Sequence, residues 1–196
     1  MEKQSIDISI ALSKISSMRL FSLIPLVTLL ALGSLYSEDG VNNLLENGNL
    51  EEAGLGGANS WPSGKGISIV EEDGNHFLRL EAVEPGVQIQ AYRKIPLPGG
   101  LQKLDISFRA RAIDIAPGAE SWHTGRVILH FKDATNQVVK PDPAPFAFKG
   151  NSDGWVEKSV QLTVPEGATF LEIFPALFQV GQGTLDIDEV VVSPAD

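Results

Sequence analysis

The sequence predicts an all-β fold in which two antiparallel sheets pack face to face, a β-sandwich of the jelly-roll kind. The chain of 196 residues contains 19 glycines and 12 prolines that separate short apolar runs, as expected of a chain with many turns. Most of these runs alternate apolar and polar residues, the period of a strand with one buried face. The region after residue 37 holds about ten such runs and no helical pattern, which favours two packed sheets.

The first 37 residues differ from the rest of the chain. Residues 20–35 are apolar and uncharged, and Lys3, Lys14 and Arg19 precede them. This apolar stretch is short for a membrane span and typical of the core of a secretory signal. We therefore predict a signal peptide within residues 1–37, with an uncleaved N-terminal anchor as the alternative. Residues 38–196 are expected to be secreted, periplasmic or at the cell surface, and to meet a membrane only if the anchor remains.

Charge and cysteine content exclude several kinds of partner and site. The formal net charge is −10, and residues 38–196 hold 12 of the 15 Lys and Arg residues and 23 of the 25 Asp and Glu residues. The basic residues form no stripe along the sequence, which argues against nucleic acid as a partner. Because the chain has no cysteine, disulfides and thiolate metal sites are excluded.

Three regions carry polar or aromatic residues that a simple sandwich does not require. In the strand predicted over residues 86–95, apolar residues at positions 87, 89 and 91 alternate with Gln88, Gln90 and Tyr92. The strand predicted over residues 104–111 turns Arg109 outward and is expected to be its neighbour. A loop from residue 115 to 124 contains Trp122, where a large apolar side chain is more typical of ligand contact than of a core.

The last predicted strand, residues 183–194, is unusually acidic. It carries Asp186, Asp188 and Glu189 within four residues, although Asp is depleted in strands. Either these acids lie on a solvated face, or one of them turns inward and is neutralised by a cation.

Five motifs, taken in order, resemble those of carbohydrate-binding modules of families 4, 9 and 22 over about residues 42–194. The motifs are NLLENGNLE at residues 43–51, DGNHFLRL at 73–80, IPLPGG at 95–100 with ISFRAR at 106–111, GW at 154–155 with VPEGA at 164–168, and LDIDEV at 185–190. The resemblance implies a galactose-binding-domain-like jelly roll, usually appended to secreted polysaccharide-degrading enzymes. Two positions depart from the pattern, since Leu50 stands for a usual Phe and Glu189 for the second Asp. Trp155 matches a position that implies core packing.

The same resemblance implies a structural calcium ion (Ca2+) between the first and the last strand. Glu51 matches the family's N-terminal Glu, and Asp188 matches the first Asp of the closing pair. Calcium takes six to eight oxygen ligands from carboxylates and carbonyls, and the turn at residues 47–49 would add carbonyls. The alternative is a pair of solvated acids. Asp186 is expected to be solvated or hydrogen-bonded locally.

Sugar recognition requires flat aromatic faces and planar polar side chains, and the sequence offers both. The predicted binding surface consists of Gln90, Tyr92, Arg109, Trp122 and His130, with Trp61 as an outer platform. The alternative for Trp61 and Tyr92 is that they cap the sandwich. The alternative for Arg109 is that it pairs with a surface carboxylate.

These observations predict a non-catalytic module that binds a polysaccharide or oligosaccharide, with a polysaccharide-degrading enzyme acting in trans as a further expected partner. No pair of carboxylates has the motif context of a glycoside hydrolase, and the three histidines lack metal-ligand spacing. The alternative is a secreted β-sandwich that binds protein or matrix. A glycoside-active enzyme is the weakest of the three hypotheses.

Overall fold

A computed structural model of the chain describes residues 43–52 and 60–196. Within these ranges the chain forms ten β-strands and no helix, so the predicted all-β class is confirmed. The described part of the chain accordingly contains no helix long and apolar enough to cross a membrane. The predicted signal peptide or anchor, residues 1–37, lies outside the described residues.

One sheet, called sheet A, has five antiparallel strands in the order β1-β2-β10-β5-β8. Its strands are β1 (Ile67–Glu72), β2 (Asn75–Glu81), β5 (Lys103–Ala116), β8 (Val156–Thr163) and β10 (Gln182–Pro194). The acidic last strand therefore lies in the middle of this sheet, between the second strand and the longest one.

The other sheet, called sheet B, has the order β3-β9-β6-β7, and β4 also pairs with β9. Its strands are β3 (Ile89–Gln90), β4 (Arg93–Pro96), β6 (Gly125–Lys132), β7 (Phe146–Phe148) and β9 (Phe170–Leu177). The single strand predicted over residues 86–95 is thus two short strands in one continuous register against β9. The gap between them lies opposite Pro175, which has no N–H to donate to the ladder.

The core lies between the two sheets and follows the period of two. In β6, Val127, Leu129 and Phe131 are buried, while the residues between them are half-buried on the other face. Phe108 of β5 meets Phe146 of β7 edge to face, with ring centroids 4.9 Å apart and an interplanar angle of 89°. Such contacts join sheet A to sheet B, and burial of apolar side chains of this kind is the main stabilising term of the sandwich.

The segment before β1 is attached to the end of β10. Leu44 N donates to Val192 O at 2.7 Å, and Val190 N donates to Gly48 O at 2.8 Å. A Cβ atom at position 48 would lie 2.0 Å from Val190 O, so only glycine permits this approach. The asparagine-glycine motif therefore allows the segment around residue 48 to pack against the end of β10. Glu189, with φ of 48°, lies in the β-bulge between Asp188 and Val191.

The outer face of sheet A, the face away from sheet B, departs from the sequence prediction. Trp155 was expected in the core, but it is half-buried on this outer face and meets Phe77 edge to face at 5.3 Å. Phe77 points outward, as its alternation predicts, yet it is only 1% exposed. The reason is that Trp155, Arg79 and Arg111 cover its ring.

Asp186 was expected to be solvated or locally bonded, and the structure shows a different environment. It is fully buried on the outer face of sheet A, between Arg79 of β2 and Arg111 of β5. Its two carboxylate oxygens accept from Arg79 Nε at 2.8 Å and Arg111 Nε at 2.9 Å. This carboxylate joins three adjacent strands across the sheet.

Candidate glycan-binding face

The outer face of sheet B collects most of the residues predicted to bind a ligand. Ile89, Ala91 and Ile95 are buried toward sheet A, so Gln90 and Tyr92 between them face outward. Tyr92 is among the most exposed large hydrophobic residues that the structure describes, with an exposed fraction of 57%. The predicted outward orientation of both residues is confirmed, whereas Val87, predicted to face inward, is exposed.

His130 belongs to the same face. It alternates with the buried Leu129 and Phe131 of β6 and stands opposite Glu172 of the central strand β9. Its ring packs edge to face on Phe174, with centroids 4.9 Å apart. The structure thus brings His130, Gln90 and Tyr92 to one face, across the strands β3, β4, β9 and β6.

Trp122 lies at the end of this face, in the loop between β5 and β6. Its ring centroid is 5.6 Å from that of Phe178, the residue that follows β9, and 4.2 Å from that of His123. Phe178 N donates to Thr124 O at 3.0 Å, which attaches the loop to the end of β9. Although it has these neighbours, Trp122 remains 49% exposed.

A glycine fixes the position of the loop that carries Trp122. A Cβ atom at position 118 would lie 1.9 Å from Gln179 O and 3.1 Å from His123 Cβ. Gly118 N donates to His123 O at 3.1 Å, which closes the loop on itself. The close contact of Gly118 with the chain after β9 therefore holds Trp122 beside Phe178.

Arg126 of β6 is held against the aromatic residues of the loop. Its Nη2 donates to Trp122 O at 2.6 Å, and its Nε donates to Thr124 Oγ1 at 3.4 Å. The guanidinium carbon lies 5.9 Å from the Trp122 ring centroid and 5.5 Å from that of Phe178. A planar cation is thus fixed in orientation next to an exposed aromatic ring.

The two polar side chains that precede Tyr92 on this face, Gln88 and Gln90, are amides. Gln88 donates through Nε2 to Gln90 Oε1, and both side chains are exposed. Side-chain amides both donate and accept hydrogen bonds, so this pair suits the hydroxyl groups of a sugar. The face as a whole offers two exposed aromatic rings, two amides, an imidazole and a guanidinium.

Arg109 is not part of this face, contrary to the sequence prediction. Its strand β5 pairs with β10 and β8 in sheet A, not with the strand of Tyr92. Arg109 lies on the outer face of that sheet, where its Nη1 donates to Glu189 Oε1 at 2.9 Å. The chain crosses from sheet B to sheet A between β4 and β5, so strands that are adjacent in sequence are not neighbours in a sheet here. The alternative, pairing with a surface carboxylate, is the arrangement found.

Trp61 is also absent from the exposed surface. It is 5% exposed and packs in the core near Arg93, whose guanidinium carbon lies 5.7 Å from its ring centroid. A buried ring cannot serve as an outer platform for a ligand, so that expectation was wrong. The observed position agrees better with the alternative that Trp61 caps the sandwich. Its Nε1 has no hydrogen-bond partner among residues 43–52 and 60–196.

The predicted calcium ligands Glu51 and Asp188 both contact the start of β2. Glu51 accepts from His76 N at 2.9 Å and contacts His76 Nδ1 at 2.9 Å. Asp188 accepts from Asn75 Nδ2 at 3.0 Å and from Glu189 N at 2.6 Å. The two carboxylates therefore bind adjacent residues of the same hairpin.

The environments of the two carboxylates differ. Asp188 is 1% exposed, and burial raises its pKa above the ordinary value. The hydrogen bonds from the His76 side chain and backbone lower the pKa of Glu51. Within the described ranges no three His, Cys, Asp or Glu side chains are close enough to hold a metal ion. The donor types fit calcium, but amide or carbonyl oxygens and water would have to complete the coordination.

The residues of the candidate face that were not among those predicted to bind include Arg126, Phe174 and Phe178. The signal for the two phenylalanines is the alternation in β9 and just after it. Leu171, Ile173 and Leu177 are buried toward the core, so the even positions face outward. For Arg126 the signal is its position four residues before His130, an even spacing that places both side chains on one face of a strand.

Solved structures with the same fold include carbohydrate-binding modules. A family 16 carbohydrate-binding module is 21% identical, with 76% of this chain and 99% of that chain covered and a TM-score of 0.52. A family 4 module is 19% identical, with coverages of 77% and 99% and a TM-score of 0.52. No protein-family model and no curated protein matches the sequence.

A larger protein also contains this fold. The enzymatically active domain of tailspike protein 4 of bacteriophage CBA120 is 16% identical over 78% of this chain, with a TM-score of 0.55. Only 21% of that chain is covered, so the present chain spans about a fifth of its length. Together the similarities show that the chain has the jelly-roll fold of carbohydrate-binding modules.

Proposed function

We propose that the protein is a non-catalytic module that binds a glycan along the outer face of sheet B. One observation carries the proposal. Among the exposed large hydrophobic residues of the described chain, the two aromatic ones are Tyr92 and Trp122, and both belong to this face. Exposed aromatic rings cost free energy in water, so two of them on the same face favour a binding role for that face.

The chemistry of the face supports a sugar ligand. The C–H face of a pyranose ring packs on an aromatic ring, and its hydroxyl groups require donors and acceptors in fixed positions. Tyr92 and Trp122 supply the rings, and Gln90, His130 and Arg126 supply polar groups around them. A non-catalytic role is proposed because the described strands of the face turn only one carboxylate outward, Glu172, which is paired with Lys132 at 3.5 Å. Glycoside hydrolysis uses two carboxylates across the bond.

Affinity electrophoresis in gels that contain soluble β-glucan, xylan, galactan, alginate or polygalacturonate tests the proposal. We expect at least one glycan to retard the protein and expect Tyr92→Ala and Trp122→Ala to abolish the retardation. Arg109→Gln on sheet A is the matched control and should migrate like the parent protein. Absence of retardation in every gel would contradict glycan binding and favour the alternative of a protein or matrix ligand.

We also propose that a calcium ion joins Glu51 to Asp188 and that residues 38–196 are exported. The contact of both carboxylates with Asn75 and His76 supports the calcium site, although a cation would have to displace His76 from Glu51. The apolar stretch at residues 20–35 supports export. N-terminal sequencing of the mature protein tests the cleavage of this segment.

A further inference from the structure

We propose that the glycan bound at the outer face of sheet B is anionic and that Arg126 recognises its carboxylate or sulfate groups. The inference rests on the proposed function and adds the chemical class of the ligand. It follows from the distribution of charge between the two outer faces and from the hydrogen bonds of Arg126.

The outer face of sheet B has a positive balance in an otherwise acidic protein. Its strands turn three cations and one carboxylate outward: Lys94, Arg126, Lys132 and Glu172. The full chain carries a formal net charge of −10. An acidic protein repels a polyanion at long range, so a site for such a ligand requires a local excess of cations.

The three arginines on the outer face of sheet A already have carboxylate partners. Arg79 and Arg111 share the buried Asp186, Arg111 also meets Glu72 at 2.7 Å, and Arg109 meets Glu189 at 2.9 Å. None of these three guanidinium groups is therefore available to a ligand. The contrast between the two faces shows that the positive balance of sheet B is not a general property of the surface.

Arg126 lacks a carboxylate partner. Among the residues that the structure describes, no Asp or Glu oxygen lies within 4 Å of a nitrogen of its guanidinium. Lys94 is likewise bonded to a neutral group, the side chain of Asn136, at 2.8 Å. Two cations of this face are therefore available to an anionic ligand.

The hydrogen bonds of Arg126 orient it for such a ligand. Its Nε donates to Thr124 and its Nη2 donates to Trp122. The N–H groups of Nη1 have no partner among the described residues. A guanidinium binds carboxylate and sulfate-like oxygens through charge-assisted bonds, which are about twice as strong as neutral ones. Because Arg126 is fixed beside the Trp122 ring, a sugar packed on that ring would present its acidic substituent to the free donors.

Titration of the full chain with matched glycans tests the inference. The probes are polygalacturonate and alginate for carboxylates, dextran sulfate for sulfate groups, and xylan and β-glucan as neutral chains. We expect an anionic probe to bind at least about tenfold more tightly than the neutral ones, with affinity falling as salt is raised from about 50 to about 500 mM. Binding of only the carboxylated or only the sulfated chains supports the proposal and identifies the group.

Variants separate the role of Arg126 from general charge. Arg126→Gln should lower affinity for the anionic probe by about tenfold, whereas Arg126→Lys should retain part of it and Arg109→Gln all of it. Melting curves verify that each variant folds. Equal affinity for neutral and anionic chains, or binding that Arg126→Gln leaves unchanged, would overturn the inference while glycan binding stands. Failure of every probe to bind would instead contradict the proposed function itself.

Discussion

Arg126 and Trp122 are joined by a 2.6 Å hydrogen bond from the guanidinium to the backbone carbonyl, four residues apart in sequence. The bond links a regular strand of sheet B to the loop that precedes it. A half-exposed tryptophan in a loop would ordinarily sample several positions. Here Arg126 of β6 and Phe178 after β9 both contact Trp122 and hold it in one position. A preorganised aromatic platform loses less entropy when a ligand binds.

The first prediction concerns Gly118, which positions the Trp122 loop. Gly118→Ala would place a Cβ atom 1.9 Å from Gln179 O, so the loop backbone must move. We expect a loss of about 1–3 kcal/mol in the free energy of unfolding and about tenfold weaker glycan binding. Urea denaturation and affinity electrophoresis measure the two effects. Gly99→Ala, where a Cβ atom meets nothing within 4 Å, should change neither, and equal behaviour of both variants would be evidence against this role of the loop.

The second prediction separates Trp61 from the binding face. Because Trp61 is 5% exposed, Trp61→Ala should lower the free energy of unfolding by about 3–5 kcal/mol. Trp61→Phe should cost less, since the lost Nε1 has no hydrogen-bond partner in the described residues. The folded fraction of each variant should bind glycan with unchanged affinity. Lost binding with stability retained would show that Trp61 contacts the ligand after all.

A third prediction addresses the buried carboxylate of sheet A. Asp186→Asn removes the charge shared by Arg79 and Arg111, whose side chains are 28% and 18% exposed. Removal of one partner from a buried ion pair costs about 3–5 kcal/mol, and the partial exposure of the arginines favours the lower end. The exposed pair of Arg109 with Glu189 offers the control, because Glu189→Gln should cost less than about 1 kcal/mol. Similar unfolding midpoints in urea for the two variants would contradict this assignment.

The fourth prediction tests the calcium site through stability. Calcium at about a hundredfold excess over its dissociation constant would stabilise the native state by about 2.7 kcal/mol, a rise of about 5–10 °C in Tm. EDTA should reverse the rise, magnesium should not reproduce it, and Asp188→Asn should abolish it. The same Tm in calcium and in EDTA would leave Glu51 as the ion-pair partner of His76 and exclude the site.

Alternation predicted the strands and the outward direction of Gln90, Tyr92 and His130, because side chains in a strand must point to opposite faces. It could not predict which sheet a strand joins, and for that reason Arg109 was assigned to the wrong face. Pairing of β5 with β10 depends on contacts between residues far apart in sequence. The alternation of apolar and polar residues within one strand carries no information about such contacts.

The burial of outward residues was equally hidden from the sequence. Phe77 points away from the core yet is covered by Trp155, which is distant in sequence. Trp61 was expected to be an outer platform, but its ring packs in the core. Asp186 looked like a solvated acid because its partners Arg79 and Arg111 belong to two other strands. In each case the deciding neighbour comes from another strand.

Mapping the ligand on the protein by NMR tests most directly whether the outer face of sheet B binds a glycan. Amide and side-chain shifts of the labelled protein would be recorded during titration with a glycan that retards it in gels. We predict the largest changes at Tyr92, at the Trp122 indole and at Arg126, with sheet A unaffected. Changes confined to the outer face of sheet A, around Arg109 and Trp155, would contradict glycan binding at sheet B.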